Sequence, residues 1–328
     1  MKKIFLSVIL TTNIVYCSAQ LKWTKVDSLF GPLPSTVHVY KTTDWLDGKP
    51  NTAYYVEASL NDKNLVFDAD TTLKRRLKPS EYYERNGKAL VVVNTTFFSF
   101  ATNQNLNVVI DEGRLVGYNI HDIVGRGKDT LTYRHVMGSA IGITKERKAD
   151  IAWLYTDSSM KMPQAMQFSL KPIKDSVGKH DHAFYKQMTS EVVGHSGEVT
   201  KNLKEWKMQT AVGGGPVLVQ EGKINITNDE ELKFAGKAVN DKHPRTAMGY
   251  TKDNKVIVLV IEGRNPGVAE GASLTQEAQM LKDIGCWEAL NLDGGGSSCM
   301  LVNGKETIKV SDPTGQRPVP AVFLIKKK

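Results

Sequence analysis

The chain has 328 residues, 41% hydrophobic and 24% charged. This ordinary globular balance excludes a disordered chain, a collagen-like repeat and a multi-span membrane protein. The 43 basic and 35 acidic side chains leave a formal net charge of +8. The excess is scattered, with no interleaving of basic and aromatic residues such as nucleic-acid binders carry, and a mildly basic surface suits an anionic substrate.

In chain order, Lys2 and Lys3 precede an apolar run from Ile4 to Tyr16 that is too short to span a bilayer. Cys17-Ser18-Ala19 then places small residues before Gln20, so residues 1–19 are expected to be a signal peptide cleaved after Ala19. The expected protein is exported, periplasmic or secreted, and not an integral membrane protein. A lipoprotein anchored at Cys17 is the alternative, disfavoured by the bulky Tyr16. Two cysteines remain, Cys286 and Cys299, which are too few for a disulfide framework and are expected to be buried thiols.

Residues 20–84 are expected to form a β-rich extension packed on a main domain spanning 85–328. Ser35 to Tyr40 and Tyr54 to Leu60 have strand character. Thr71 to Arg85 carries Leu73, Leu77 and Tyr82 in partial helical register. The continuous apolar run Ala89 to Val93 has strand length and leads into Asn94-Thr95-Thr96-Phe97-Phe98. Glu112-Gly113 predicts a hairpin between Asn107–Ile110 and Arg114–Tyr118. Ala140–Thr144 and Ala149–Thr156 predict a further pair. Residues 157–205 lose periodicity and are expected to be an insertion rimming or lying outside the site. Gly213-Gly214-Gly215-Pro216 precedes a Val217–Val219 strand that Glu221-Gly222-Lys223 turns back. Thr246–Tyr250 and Val256–Glu262 predict a hairpin. Ser273 with Gln276 forms a capping box before a helix that runs to Ile284 and stops at Gly285. Ala289–Leu292, Met300–Val302 paired with Thr307–Val310 around Asn303-Gly304, and Val319–Ile325 complete the chain. The fold class is α+β, with mixed, mainly antiparallel β-sheets and a few flanking helices.

Several signatures of known chemistry are weak or missing. No phosphate-binding G-x-x-x-x-G-K-[ST] occurs. Gly194-His195-Ser196-Gly197 lacks the last glycine of a nucleophile elbow, because Glu198 stands there. His180-Asp181-His182 has no evident third ligand, and a solvated loop explains it better. The strong signal is Asn291-Leu292-Asp293-Gly294-Gly295-Gly296-Ser297-Ser298, where a buried strand delivers a carboxylate into three glycines. Glycines allow positive φ and close approach of backbone to a ligand. Successive amides of Gly294, Gly295 and Gly296 can form an anion nest, to which Ser297 and Ser298 add donors. Asp293 beside it can serve as acid, base or nucleophile. His243-Pro244-Arg245-Thr246 offers a planar fork for a phosphate or carboxylate, and Glu262-Gly263-Arg264 closes the next strand. These groups sit at strand ends, where functional residues gather.

The segments His243 to Gly249, Glu262-Gly263-Arg264, the helix after Ser273 and Ala289 to Ser298 resemble the phosphodiester glycosidase family. Gly213 to Val219 is similar to its glycine-rich segment, and Asp312 with Arg317-Pro318-Val319 to its C-terminal motif. The likeness covers roughly residues 85–327. One departure is Asn94-Thr95-Thr96-Phe97-Phe98, where the family carries Asn-Gly-Gly-Phe-Phe. The resemblance implies hydrolysis of a sugar-1-phosphodiester, with Asp293, Glu262 and Arg245 as catalytic candidates. It implies substrate-binding roles for Asn94, Gly214, Gly215, Thr246, Arg264, Gly294, Gly295, Gly296, Ser297, Ser298 and Arg317. The expected partner is a carbohydrate or sugar phosphate, with no nucleic acid. No cofactor is required as far as the sequence shows, although a divalent cation could sit at Asp293. The alternatives are a non-catalytic carbohydrate-phosphate or exopolysaccharide-binding protein, and a serine hydrolase using Ser297 or Ser298.

Overall fold

The computed structural model describes residues 20–125, 132–134, 137–170, 173–174 and 203–328. The expected signal peptide, His180-Asp181-His182 and Gly194-His195-Ser196-Gly197 lie outside the described residues. Strands dominate, and the α-helices among the described residues are Pro79–Arg85, Asn228–Glu231 and Leu274–Ile284.

Every strand pair among the described residues is antiparallel, in line with the mainly antiparallel sheets expected, and no parallel pair mixes with them there. For the hairpins the physical reason is local. Two-residue turns return several strands onto their neighbours, and such turns join only antiparallel pairs. Glu112-Gly113, Glu221-Gly222 and Asn303-Gly304 all adopt positive φ at both residues, the backbone twist that tight hairpins favour. At Asn303-Gly304 the turn brings Met300–Val302 onto Lys305–Glu306 rather than onto Thr307–Val310 as the sequence suggests. The polar stretch after Thr71 also differs from expectation. Thr71 ends a strand, Leu65–Thr71, and the helix begins only at Pro79, whose fixed φ suits a first helical turn.

Three large sheets enclose the core. The eight-stranded sheet runs, in spatial order, Thr24–Lys25, Val37–Thr42, Ala53–Ser59, Lys255–Ile261, Arg245–Thr251, Cys286–Asn291, Val217–Gln220 and Lys223–Ile224. Its central strand Lys255–Ile261 is apolar on both faces. Val256, Val258 and Val260 point into the main core, whereas Ile257, Leu259 and Ile261 meet Leu274, Ala278 and Leu281 of the long helix. That helix has the expected capping box at Ser273 and Gln276 and ends at Gly285 in the left-handed region. A seven-stranded sheet is ordered Lys204–Glu205, Gln164–Met166, Ala149–Tyr155, Gly138–Ile143, Thr210–Gly213, Val109–Asp111 and Arg114–Gly117. The described flanks of the 157–205 segment therefore extend one edge of this sheet. A five-stranded sheet is ordered Lys305–Glu306, Met300–Val302, Val91–Asn94, Ala321–Lys327 and Leu65–Thr71. Strands from residues 20–84 thus pair directly with strands from the second half of the chain. Cys286 and Cys299 are buried free thiols, and burial pushes both well above the usual thiol range.

Candidate functional site

The strands that carry the sequence signals end close together. Leu292 N–H donates to the Thr246 carbonyl (2.7 Å), Gly295 N–H to the Pro244 carbonyl (2.8 Å) and Asp293 N–H to the Thr95 carbonyl (2.7 Å). The Gly214-Gly215-Pro216 arm joins the same place, because Gly215 N–H donates to the Asn291 carbonyl (2.7 Å) and Asn291 Nδ2 returns a bond to the Gly215 carbonyl (2.9 Å). Loop 263–271 closes over His243 and Pro244, and a side chain at Gly271 or Gly263 would strike their backbone.

Asn94 is completely buried and ties the cluster together. Its Nδ2 donates to the Asp293 carbonyl (2.6 Å), and its Oδ1 accepts from the Cys299 N–H (3.0 Å). Thr246 Oγ1 lies within bonding distance of Asn94 Oδ1 (3.0 Å) and Ser298 Oγ (3.1 Å). Asn94, Thr246 and Ser298 therefore brace the Asp293 loop from below. The hydroxyls of Thr95 and Thr96 are buried beside them without a partner among the described residues.

Asp293 itself keeps part of its surface open. Desolvation pushes its carboxyl up to about 7, against the opposing pull of a Ser297 hydrogen bond, the Arg317 charge and the Gly294 N–H. A carboxyl that is desolvated yet reachable, with a pKa near neutrality, is suited to proton transfer or nucleophilic attack.

The charges around it differ from the sequence expectation. Arg245 is 2% exposed, and its Nε donates to the Ala272 carbonyl (2.9 Å) and Nη2 to the Asp241 carbonyl (3.3 Å). Its guanidinium lies over the Phe234 ring at 5.4 Å. Arg245 is thus engaged in holding loops 241–245 and 272 together. The guanidiniums that cover the glycines belong to Arg264 and Arg317. A Cβ on Gly295 would come within 3.0 Å of Arg264 Nη2, and one on Gly296 would overlap the Arg317 guanidinium. Gly295 also needs its positive φ of 61°. Arg317 is fixed by Asp312 (Nε to Oδ2, 2.7 Å) and reaches Ser297 Oγ at 3.5 Å. The expected backbone nest is largely spent on the loop itself. The amides of Ser297 and Ser298 close onto Gly294 and Gly295, and that of Gly294 faces the Asp293 carboxyl. Cationic side chains cover these glycines.

Glu262 is 6% exposed, and each of its oxygens accepts one bond, from Asn265 Nδ2 (3.0 Å) and Lys309 N–H (3.1 Å). It pins the Arg264 loop to the segment before Asp312. No histidine is among the hydrogen-bond partners of Ser297 or Ser298 in the described residues, so the serine-hydrolase arrangement is not assembled there. His243 lies near Arg245 and Arg264, and burial and these charges hold its pKa below the usual imidazole value. Among the described residues, no group of three or more His, Cys, Asp or Glu could hold a metal ion.

Some residues of this region carry no sequence signal of their own. Glu231, in the acidic run Asn228–Glu231, resembles a solvated face. It is instead fully buried and accepts from Ser139 N–H and Oγ, Trp153 Nε1, Val217 N–H and Thr227 Oγ1. It joins the seven-stranded sheet to the Gly214-Gly215 arm. Phe97 and Phe234, edge to face at 6.1 Å, line an adjoining cavity of about 210 Å³ with Asn107, Asn119 and Leu232.

A family model described as phosphodiester glycosidase matches residues 156–326. Over 74 residues the chain is 35% identical to the SPbeta prophage-derived protein YomE of Bacillus subtilis (strain 168), covering 23% of this chain and 11% of that protein. Over 94 residues it is 29% identical to N-acetylglucosamine-1-phosphodiester alpha-N-acetylglucosaminidase of Mus musculus, covering 28% of this chain and 18% of that one. The matched stretches thus span less than a fifth of these relatives' lengths. The fold is similar to the catalytic domain of zebrafish N-acetylglucosamine-1-phosphodiester alpha-N-acetylglucosaminidase, auto-inhibited by its pro-peptide. The TM-score is 0.56 at 18% identity, over 94% of this chain and 89% of that one.

Proposed function

From the premise that the chain belongs to the phosphodiester glycosidase family, we propose that it is an exported hydrolase that cleaves the bond between a sugar anomeric carbon and a phosphodiester oxygen in a glycan or cell-envelope polymer. The observation that carries this reading is one arrangement. Asp293, with its carboxyl pushed up to about 7, stands beside two glycines, each covered by a guanidinium.

In the reaction proposed, the C1–O bond to phosphorus breaks, and its electron pair leaves with the phosphate monoester. The oxygen of water becomes bonded to C1. The leaving group already carries charge, so it needs neutralisation more than protonation. Arg264 and Arg317 supply it, with Ser297 orienting Arg317 and Asp293. Ionised Asp293 serves the oxocarbenium-like centre, either as the base that takes a proton from the attacking water, or as a nucleophile whose bond to C1 is then broken by water, the proton passing to the departed phosphate or to solvent. Glu262 and Arg245 act by position, one fixing the Arg264 loop and the other the His243 loop. Asn94 and Thr246 keep the Asp293 backbone in register.

Asp293→Asn tests the reading on a glycosyl phosphodiester. The amide is near-isosteric but is neither nucleophile nor base, so turnover is expected to vanish while substrate still binds. Full activity in this variant overturns the assignment. Binding without turnover in the unmodified protein hands the case to a carbohydrate-phosphate-binding role.

A further inference from the structure

Three adjacent strands of the five-stranded sheet finish at one end, next to Asp293. Val322 lies opposite Asn94, and Ala321 opposite Thr71. The chain beyond these points carries Arg317 before the last strand, Phe98 and Phe100 after Val91–Asn94, and Arg76 after Leu65–Thr71. The Leu77–Val319 bridge closes the group. Phe98 and Phe100 pack with centroids 4.8 Å apart. The Arg76 guanidinium lies 5.0 Å from the Phe98 ring and 5.5 Å from Phe100, and that of Arg317 lies 5.4 Å from Phe100. Phe100 nonetheless keeps 66% of its surface exposed.

Two features of this cluster point to a ligand. Two guanidiniums share one ring, but only Arg317 has a carboxylate partner, Asp312. Arg76 has no ion pair or hydrogen bond among the described residues, so its charge is free for an anion. An exposed phenyl ring held between such charges offers a flat apolar face to the C–H side of a sugar. Because Arg317 also touches Ser297, the cluster lies on the side of the site where the phosphate leaves. Arg76 and Phe100 both lie outside the residues matched by the family model.

We propose that Arg76 and Phe100 form a second subsite, which binds a sugar-containing aglycone carrying a further phosphate. This inference rests on the hydrolytic reading above and names its substrate class, a glycan with more than one phosphate along its chain. Phe100 packs on the aglycone ring, and the Arg76 fork grips the additional phosphate.

Two diesters of the same sugar 1-phosphate test this. One has a methyl aglycone, and the other a hexose bearing a second phosphate. The unmodified protein is expected to prefer the phosphorylated aglycone. Arg76→Ala and Phe100→Ala should each lower that preference, the ratio of the two kcat/KM values, about ten-fold, as expected for loss of one charge-assisted contact by the first and of one stacking contact by the second. An unchanged ratio in both variants overturns the subsite. Calorimetric titration with a methyl hexoside bisphosphate reads the subsite without turnover. Binding about ten-fold weaker in Arg76→Ala supports it even if no diester is cleaved, a result that defeats the hydrolytic reading alone. Equal binding by all three proteins overturns the subsite whatever the turnover.

Discussion

The sequence marks Arg245 as a catalytic candidate and Arg317 as a substrate-binding one, yet the structure gives them different surroundings, and substitution should separate them. Arg317→Lys keeps a charge but loses the fork that bonds Asp312 and reaches Ser297. We expect kcat to fall by about 10²–10³, as for loss of one transition-state donor, with a small change in melting temperature. Arg245→Lys breaks its bonds to the Ala272 and Asp241 carbonyls and should lower stability by about 1–3 kcal/mol, measurable by urea unfolding. The pH profile gives a second check. Arg317 and Ser297 both lower the Asp293 pKa, so removing either raises it. The rate, which should rise with pH through about 7 in the unmodified protein, should rise at higher pH in Arg317→Ala and Ser297→Ala. The placing of Asp293 at the candidate site is legible in sequence, because a strand running into three glycines is a local pattern. The bracing role of Asn94 is not, since its partner at Asp293 is 199 residues away and nothing in Asn94-Thr95-Thr96 specifies that contact. Arg264 and Arg317 likewise reveal their cover of Gly295 and Gly296 only once the loops are folded.

Elements whose stability is local are the ones that the sequence discloses. The helix Leu274–Ile284 has its capping box and its terminal glycine within a dozen residues. Ser273→Ala, which removes the oxygen that accepts from Gln276 N–H at 3.2 Å, is expected to cost about 1 kcal/mol in equilibrium unfolding. The turns Glu112-Gly113 and Glu221-Gly222 are legible for the same reason, since each glycine supplies a positive φ that few side chains accept. Strand partnership is different. Ala53–Ser59 pairs along its whole length with Lys255–Ile261, and alternation within either strand says which face is buried but not which neighbour it has. The strand expected at Thr307–Val310 does not form, because the two-residue turn fixes pairing immediately after Gly304. The polar segment from Thr71 was too short of apolar residues to show where strand ends and helix begins.

Across the whole molecule, several carboxyls are held above their ordinary range by burial. Asp111 is pushed up to about 6, Glu288 and Asp293 to about 7, and Glu277 to about 8. Between the unfolded and folded pKa of such a group, the native state binds more protons than the unfolded one. The stability it contributes is therefore full at low pH, below about 4, and is lost as pH rises through the folded value. The melting temperature is expected to fall by several degrees between pH 5 and pH 8. Glu277→Gln should flatten the upper part of that decline, because the Glu277 carboxyl is completely buried and neither oxygen has a partner among the described residues. A melting temperature that rises across this range would contradict the assignment. The order of the five-stranded sheet has a consequence for biosynthesis. Ala321–Lys327 lies between Val91–Asn94 and Leu65–Thr71, so two strands made early stay unpaired on their inner edges until the ribosome has translated some 250 further residues. The loop bearing Asp293 hangs from the same sheet through Asn94. A nascent chain can thus hold Asp293, Arg264 and Arg317 and still lack the frame that aligns them, so the proposed activity should arrive only with the closing strand.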